Sequence, residues 1–190
     1  MEGLTEIRWH GRGGQGAVTA AKLVAETALK QDKYFQASPE YGPERMGAPI
    51  QAFTRISSTP ISLHCAVTNP DIVVVLDRTL LSVVDVTEGL RPEGVLIVNT
   101  ELAPGGVRQA FKINGFKVFT VDANKIALES IGKAIPNTPM LGALLKATGL
   151  MDIEKVAEHI RASFGKKFSQ EIIDGNVEAL TRAYREVRSE

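Results

Sequence analysis

The apolar positions of this chain switch repeatedly between two periods. Ile7 and Trp9 alternate with polar neighbours and begin a strand. Val18, Ala21, Val24, Ala25, Ala28 and Leu29 then trace one face of a helix predicted over 17–30. A short strand is expected around Tyr34 to Ala37, followed by a loop over 38–48. Ile50, Ala52, Thr54 and Ile56 alternate with Gln51, Phe53 and Arg55 as in a half-buried strand. Ser57-Ser-Thr-Pro60 supplies turn chemistry into a run over 61–65, so an antiparallel hairpin is expected between those two stretches. Asp71-Ile-Val-Val-Val-Leu76 is continuously apolar, the mark of a central strand covered on both faces. Gly94-Val-Leu-Ile-Val98 is a second such run and Lys117-Val-Phe-Thr-Val121 a third.

Between the last two strands, residues 101–114 are rich in Gly and Pro and read as a loop with at most a short helical turn. Beyond Asp122 the pattern becomes helical. One helix is expected over 123–133. A second has Thr138 as N-cap and Pro139 at its first position and ends at Gly149. A third is capped by Asp152, and a terminal helix, capped by Ser169, carries the stripe Ile172, Ile173, Val177, Leu180, Tyr184, Val187. Strands alternating with helices around buried central strands imply one α/β domain over 1–190. It is read as a doubly wound, Rossmann-like mixed sheet with a β-hairpin insertion and a helical C-terminal third.

The first strand runs directly into Gly11-Arg12-Gly13-Gly14-Gln15-Gly16. A strand that turns through glycines into a helix aims backbone N–H groups at one point, and the helix dipole favours an anion there. Gly11, Gly13 and Gly16 satisfy G-x-G-x-x-G in the right context for a dinucleotide site. The acidic residue such a site needs about 20 positions on has only a poor candidate, Glu40, which follows Ser38-Pro39 within the expected loop. The amide of Gln15 offers a donor and an acceptor, which suits a special ligand or partner better than a generic pyrophosphate.

Composition narrows the chemistry. The 190 residues carry 22 Lys plus Arg and 22 Asp plus Glu, so the net charge is zero and gives no general basis for binding nucleic acid or a membrane surface. Cys65 is the single cysteine, and no C-x-x-C or His/Cys cluster exists to hold a metal or an iron–sulfur centre. The N-terminus shows no leader pattern and no run approaches ~18 apolar residues, so a soluble cytoplasmic protein is expected.

A second constellation is Tyr41-Gly-Pro-Glu-Arg-Met-Gly-Ala-Pro49, in which Tyr41, Glu44 and Arg45 bring a phenol, a carboxylate and a guanidinium into one loop. Loops after strands gather at the strands' carboxyl ends, so this loop is expected to face the glycine turn. A plainer role is an ordered surface loop with a weak Glu44–Arg45 pair. His10 is read as bonded within the scaffold; His64 and His159 show no ligand spacing. Asp77 is read as a helix cap or an ion pair with Arg78, Asn137 as shaping a helix entry, and Cys65 as a small hairpin hydrophobe.

Three motifs in order, His10-Gly-Arg-Gly-Gly-Gln-Gly16, Tyr41-Gly-Pro-Glu-Arg-Met-Gly47 and Asn137-Thr-Pro-Met-Leu-Gly-Ala143, strongly resemble the gamma subunit of 2-oxoacid:ferredoxin oxidoreductases, the pyruvate synthase type in particular. The resemblance runs from Ile7 to the terminal helix. Met46 stands where such chains commonly carry a polar residue, so no anion contact is assigned to it. The resemblance implies a complex that converts a 2-oxoacid and coenzyme A to acyl-CoA, CO2 and reduced ferredoxin. Thiamine diphosphate and Mg2+ would be held by alpha and beta subunits, and 4Fe–4S clusters by beta and a ferredoxin-like delta subunit. This chain would be a non-catalytic module that binds no cofactor alone. Gly11, Gly13, Gly14, Gln15, Gly16, Tyr41, Glu44 and Arg45 would form a face toward a partner subunit or coenzyme A, and the complex would deliver electrons to ferredoxin.

Two other readings stay open at the level of sequence. One is a free-standing nucleotide-binding dehydrogenase using Gly11 to Gly16 with Glu40 on the ribose. The other is a non-enzymatic assembly module.

Overall fold

The long antiparallel pair at the middle of the sheet is set by β1 (Leu4–Arg12) and β3 (Pro49–Ser57), which run in register from Leu4 opposite Ser57 to Arg12 opposite Pro49. The computed structural model describes residues 3–29, 33–40, 47–165 and 167–190. β2 (Tyr34–Glu40) pairs antiparallel with the outer side of β3, while β4 (Ile72–Val75), β5 (Val95–Asn99) and β6 (Lys117–Val121) continue parallel from the other side of β1. The resulting order is β2-β3-β1-β4-β5-β6. β4 and β5 are short Val/Ile/Leu runs because both of their faces are covered.

The two faces carry different layers. α1 (Ala17–Leu29), α3 (Ala123–Ile131), α4 (Asn137–Thr148), α5 (Ile153–Phe164) and α6 (Gln170–Glu186) contribute to one core with Ile7, Trp9, Val74 and Ile97. The opposite face packs Val73, Val75, Leu96, Val98 and Val118 under Leu80 of a 3₁₀ turn (Arg78–Ser82) and Val107 of α2 (Pro104–Phe111). The chain therefore leaves β1 toward one face and β4 toward the other. In such sheets the divergence opens a crevice at the strands' carboxyl ends. Polar links fix the layers. Trp9 Nε1 donates to Thr54 Oγ1 at 3.1 Å and that hydroxyl donates to the carbonyl of Ala21 at 3.1 Å, tying β1, β3 and α1.

The mixed sheet, its buried central strands and the helical C-terminal third match the expectation, and four local readings need correction. The antiparallel partner of β3 on its outer side is β2, and residues 61–65 are irregular, with Cys65 exposed and its carbonyl accepting from Arg55 Nη1. Ser38, Pro39 and Glu40 belong to β2, so the following loop starts later than expected. The stretch read as loop over 101–114 contains the eight-residue helix α2. Pro104 sits at its start, where no intrahelical donor is needed, and Lys112 closes it in a left-handed conformation. α4 begins at Asn137 rather than after Thr138, whose hydroxyl instead donates to Asn176 Oδ1 on α6 at 2.8 Å. Asp152 caps α5 as expected, whereas Ser169 occupies the cap position of α6 without a side-chain capping bond.

Candidate functional site

The glycine turn lies at the crevice between the ends of β1 and β4, where its position is fixed by hydrogen bonds on three sides. Leu76 N donates to the carbonyl of His10 at 2.8 Å, extending the β1–β4 pairing to Leu76, next to Asp77. On the β3 side, Gly13 N donates to Ala48 O at 3.1 Å and Gly47 N to Gly13 O at 3.4 Å. Within the turn, Gln15 N donates to Arg12 O at 3.1 Å and Arg12 N donates to Gln15 Oε1 at 2.8 Å. Three amides that an anion would use, those of Arg12, Gly13 and Gln15, are thus already engaged inside the fold.

Gly16 is demanded by close approach and Gly11 sits in a tight one. At Gly11 a methyl group would meet Ala17 Cβ at 3.2 Å and Leu76 Cβ at 3.6 Å, so the strand end and the start of α1 are packed tightly. Gly16 has φ +80° and a methyl group there would lie 2.7 Å from Asn137 Nδ2 and 2.9 Å from Asn137 Cβ. The first and third sequence motifs therefore meet directly, the start of α4 lying against the glycine turn. The second motif joins them at its described end, since Gly47 and Ala48 pair with Gly13. Tyr41, Glu44 and Arg45 lie outside the described residues.

The amide of Gln15, expected to face a ligand, is spent on the scaffold. Its Nε2 donates to Asp77 Oδ2 at 2.9 Å. Asp77 caps the 3₁₀ turn as expected, but its ion pair is with Arg12 at 3.2 Å; Arg78 pairs with Glu101 instead at 2.6 Å. Arg12 reaches further, donating from Nη1 to Gly47 O at 3.0 Å and from Nη2 to Thr79 Oγ1 at 2.9 Å. Partial burial works against the charged form of Asp77, yet hydrogen bonds from Thr79 and Gln15 and the charge of Arg12 outweigh it. The carboxyl is held below its ordinary range. The parts of this cluster that sequence reasoning missed are Arg12 and Thr79. The only signal for Arg12 was its place inside the glycine run, and no local pattern marked Thr79.

His10 is bonded within the scaffold as expected. Its Nε2 accepts from Arg8 Nε at 3.1 Å, and burial followed by the Arg8 charge pushes its pKa down to about 4. His159 contacts Glu26 Oε2 and Ser163 Oγ, each at 3.1 Å, linking α5 to α1. Among the described residues no three His, Cys, Asp or Glu side chains stand together as a metal site, and no helix is long and apolar enough to cross a membrane. A pocket of about 640 Å3 opens between residues 81–87 and the end of α2, and none of its lining residues belongs to the glycine turn.

This arrangement can be set beside known proteins. A family model described as pyruvate ferredoxin/flavodoxin oxidoreductase matches residues 6–186. The chain belongs to that family. Pyruvate synthase subunit PorC of Thermotoga maritima is 53% identical over 183 residues, covering 96% of this chain and 94% of that one. The pyruvate/ketoisovalerate oxidoreductases common subunit gamma of Pyrococcus furiosus is 50% identical over 181 residues, covering 95% and 96%. The crystal structure of pyruvate oxidoreductase subunit PorC from Thermotoga maritima has the same fold, with a TM-score of 0.88, 49% identity and coverage of 100% of this chain and 99% of that one. Within the oxidoreductase family this chain is of the gamma type, a subunit of a multi-subunit enzyme. The family resemblance expected from the three motifs is thereby borne out, and the free-standing dehydrogenase reading falls away.

Proposed function

We propose that this chain, acting as one α/β domain, completes a cytoplasmic 2-oxoacid:ferredoxin oxidoreductase that takes pyruvate, together with alpha, beta and delta chains. The observation that carries the reading is identity of 53% and 50%, over nearly full length, to a pyruvate synthase subunit and a common gamma subunit. A gamma subunit common to pyruvate and ketoisovalerate enzymes fits a chain that does not choose the 2-oxoacid. Thiamine diphosphate with Mg2+ supplies the decarboxylation chemistry of such enzymes, and 4Fe–4S clusters carry the electrons. This chain's donors do not fit a cluster, because one cysteine cannot provide four thiolates. Its own contribution is a preorganised surface that orients the subunits around it.

We assign that surface to the turn at Gly13 and Gly14, seated on the buried Gly11 and supported by Gln15 and Gly16, together with Tyr41, Glu44 and Arg45. Support comes from the pairing of Gly13 with Gly47 and Ala48, which anchors the end of the second motif beside the turn. The engagement of Arg12, Gly13 and Gln15 amides within the fold favours a protein partner over the phosphates of coenzyme A. Hydrogen exchange of the isolated chain and of the assembled enzyme tests the assignment. Exchange over 11–16 and 41–48 should slow on assembly without coenzyme A. Slowing only when coenzyme A is added would make this a ligand site, and equal exchange in all three states would remove the assignment.

A further inference from the structure

The carboxylate of Asp77 receives four contacts from three directions. Oδ1 accepts from the amide of Thr79 at 2.9 Å and from its hydroxyl at 2.6 Å. Oδ2 accepts from Gln15 Nε2 at 2.9 Å and pairs with Arg12 Nε at 3.2 Å. A helix-type N–H, a hydroxyl, a side-chain amide and a guanidinium are the donors that a phosphate attracts at the carboxyl end of a parallel sheet. Here they converge on a residue of the chain itself. The crevice between β1 and β4 contains its own anion.

Arg12 carries that arrangement outward. While its Nε faces Asp77, Nη2 bonds the hydroxyl of Thr79, which itself donates to Asp77, so the three side chains close a ring. Nη1 is left pointing the other way and holds the carbonyl of Gly47. Gly47 has φ +85° and leads directly into β3. One planar fork thus joins the end of β4 to the residue at which the second motif ends, and a planar fork transmits orientation in a way that a flexible ammonium does not. The Arg12 and Asp77 side chains are 28% and 17% exposed, so water only partly screens the pair.

We propose that Asp77 is the internal anion of the glycine turn and the positioning residue for the segment that enters β3 through Gly47. Acting through Arg12, it fixes the position of Gly47, the described end of the second motif. The consequence for assembly rests on the reading of that segment as partner-facing; the consequence for Gly47 does not.

Amide exchange at Gly13 and Gly47, measured in the full chain and in the assembled enzyme, tests this. Asp77→Asn and Arg12→Ala should each lower protection at these two amides by about 10-fold while Val95–Asn99 is unchanged. The double variant should lose no more than either single variant, because the two side chains act as one device. Arg12→Lys should recover little. Thr79→Val keeps both charges and should loosen the same two amides to a smaller extent, which covers the case in which Asp77→Asn does not fold. Unchanged protection in Asp77→Asn and Thr79→Val, or additive losses in the double variant, would overturn the proposal. Loosened amides with wild-type affinity for the partner chains would uphold Asp77 as the positioning residue and overturn the partner-facing reading alone.

Discussion

The side chain of Asn137 stands where a Cβ of Gly16 would have to be, 2.7 Å from Nδ2 and 2.9 Å from Cβ. Two motifs separated by some six score positions of chain are thereby one packing unit, which joins the start of α4 to the turn ahead of α1. Gly16→Ala combines a left-handed backbone with a clash and should cost about 2–4 kcal/mol of stability. Asn137→Ala removes the Nδ2 and Cγ contacts but keeps its own Cβ 2.9 Å away, so it should relieve part of the clash. The unfolding midpoints in urea of both single variants and the double variant measure this, and a double variant less destabilised than the sum of the singles is expected. Simple additivity would show that the two residues do not share the space.

His10 makes stability depend on pH in a defined direction. Its folded pKa of about 4 lies below the ordinary 6.5, first because of burial and second because of the neighbouring Arg8 charge, with Asp85 acting against both. The unfolded chain therefore takes up a proton in a range where the folded chain does not. Stability from this residue is intact above pH 6.5 and is lost as pH falls toward 4, by up to about 3 kcal/mol. His10→Gln keeps an acceptor for Arg8 Nε but cannot be protonated. Urea unfolding between pH 7 and 4.5 should give a flatter profile for this variant than for the wild type, and parallel profiles would refute the assignment.

Arg55 sits in a buried polar network that spans the sheet. Its Nε donates to Glu6 Oε1 at 2.8 Å, and Nη1 donates to Gln36 Oε1 at 3.0 Å and to the carbonyl of Cys65 at 2.9 Å. The pair is buried, with Arg55 and Glu6 side chains only 3% and 10% exposed. Arg55→Ala leaves the buried Glu6 with only the longer contact from Arg91 Nη2, at 3.4 Å, and should destabilise the chain by about 3 kcal/mol. Arg55→Lys should recover little, because one ammonium cannot satisfy acceptors on β1, β2 and the 64–66 segment together. Thermal unfolding checks both, and a shift in midpoint of less than a degree or two for Arg55→Ala would contradict the account.

The fold was legible where burial alone sets the pattern. Val73, Val74 and Val75 announce a strand covered on both faces, and the stripe of α1 announces a helix. It was not legible where the decision lies far along the chain. Ile61 to Cys65 carry apolar residues after a turn, yet β3 already has β1 and β2 as partners, so no edge remains for them. Gly105 and Gly106 argue for a loop, but Val107 and Phe111 pack on the second core and hold α2 together against that propensity. At the candidate site the glycines could be read in sequence as a turn before a helix. What they face could not, because Gln15 and Asp77 are brought together only by the parallel pairing of β1 with β4. Asp77 was assigned its neighbour Arg78, while the sheet delivers Arg12.

The central claim is that the chain is a gamma subunit whose activity exists only within its enzyme. Its most direct test is reduction of a viologen acceptor by pyruvate and coenzyme A, measured with rigorously purified chains in three mixtures. The chain alone should show no turnover; the other subunits of its enzyme without it should show little; and the complete set should restore turnover that depends on both pyruvate and coenzyme A. Turnover by this chain alone, or full activity of the other chains in its absence, would contradict the account.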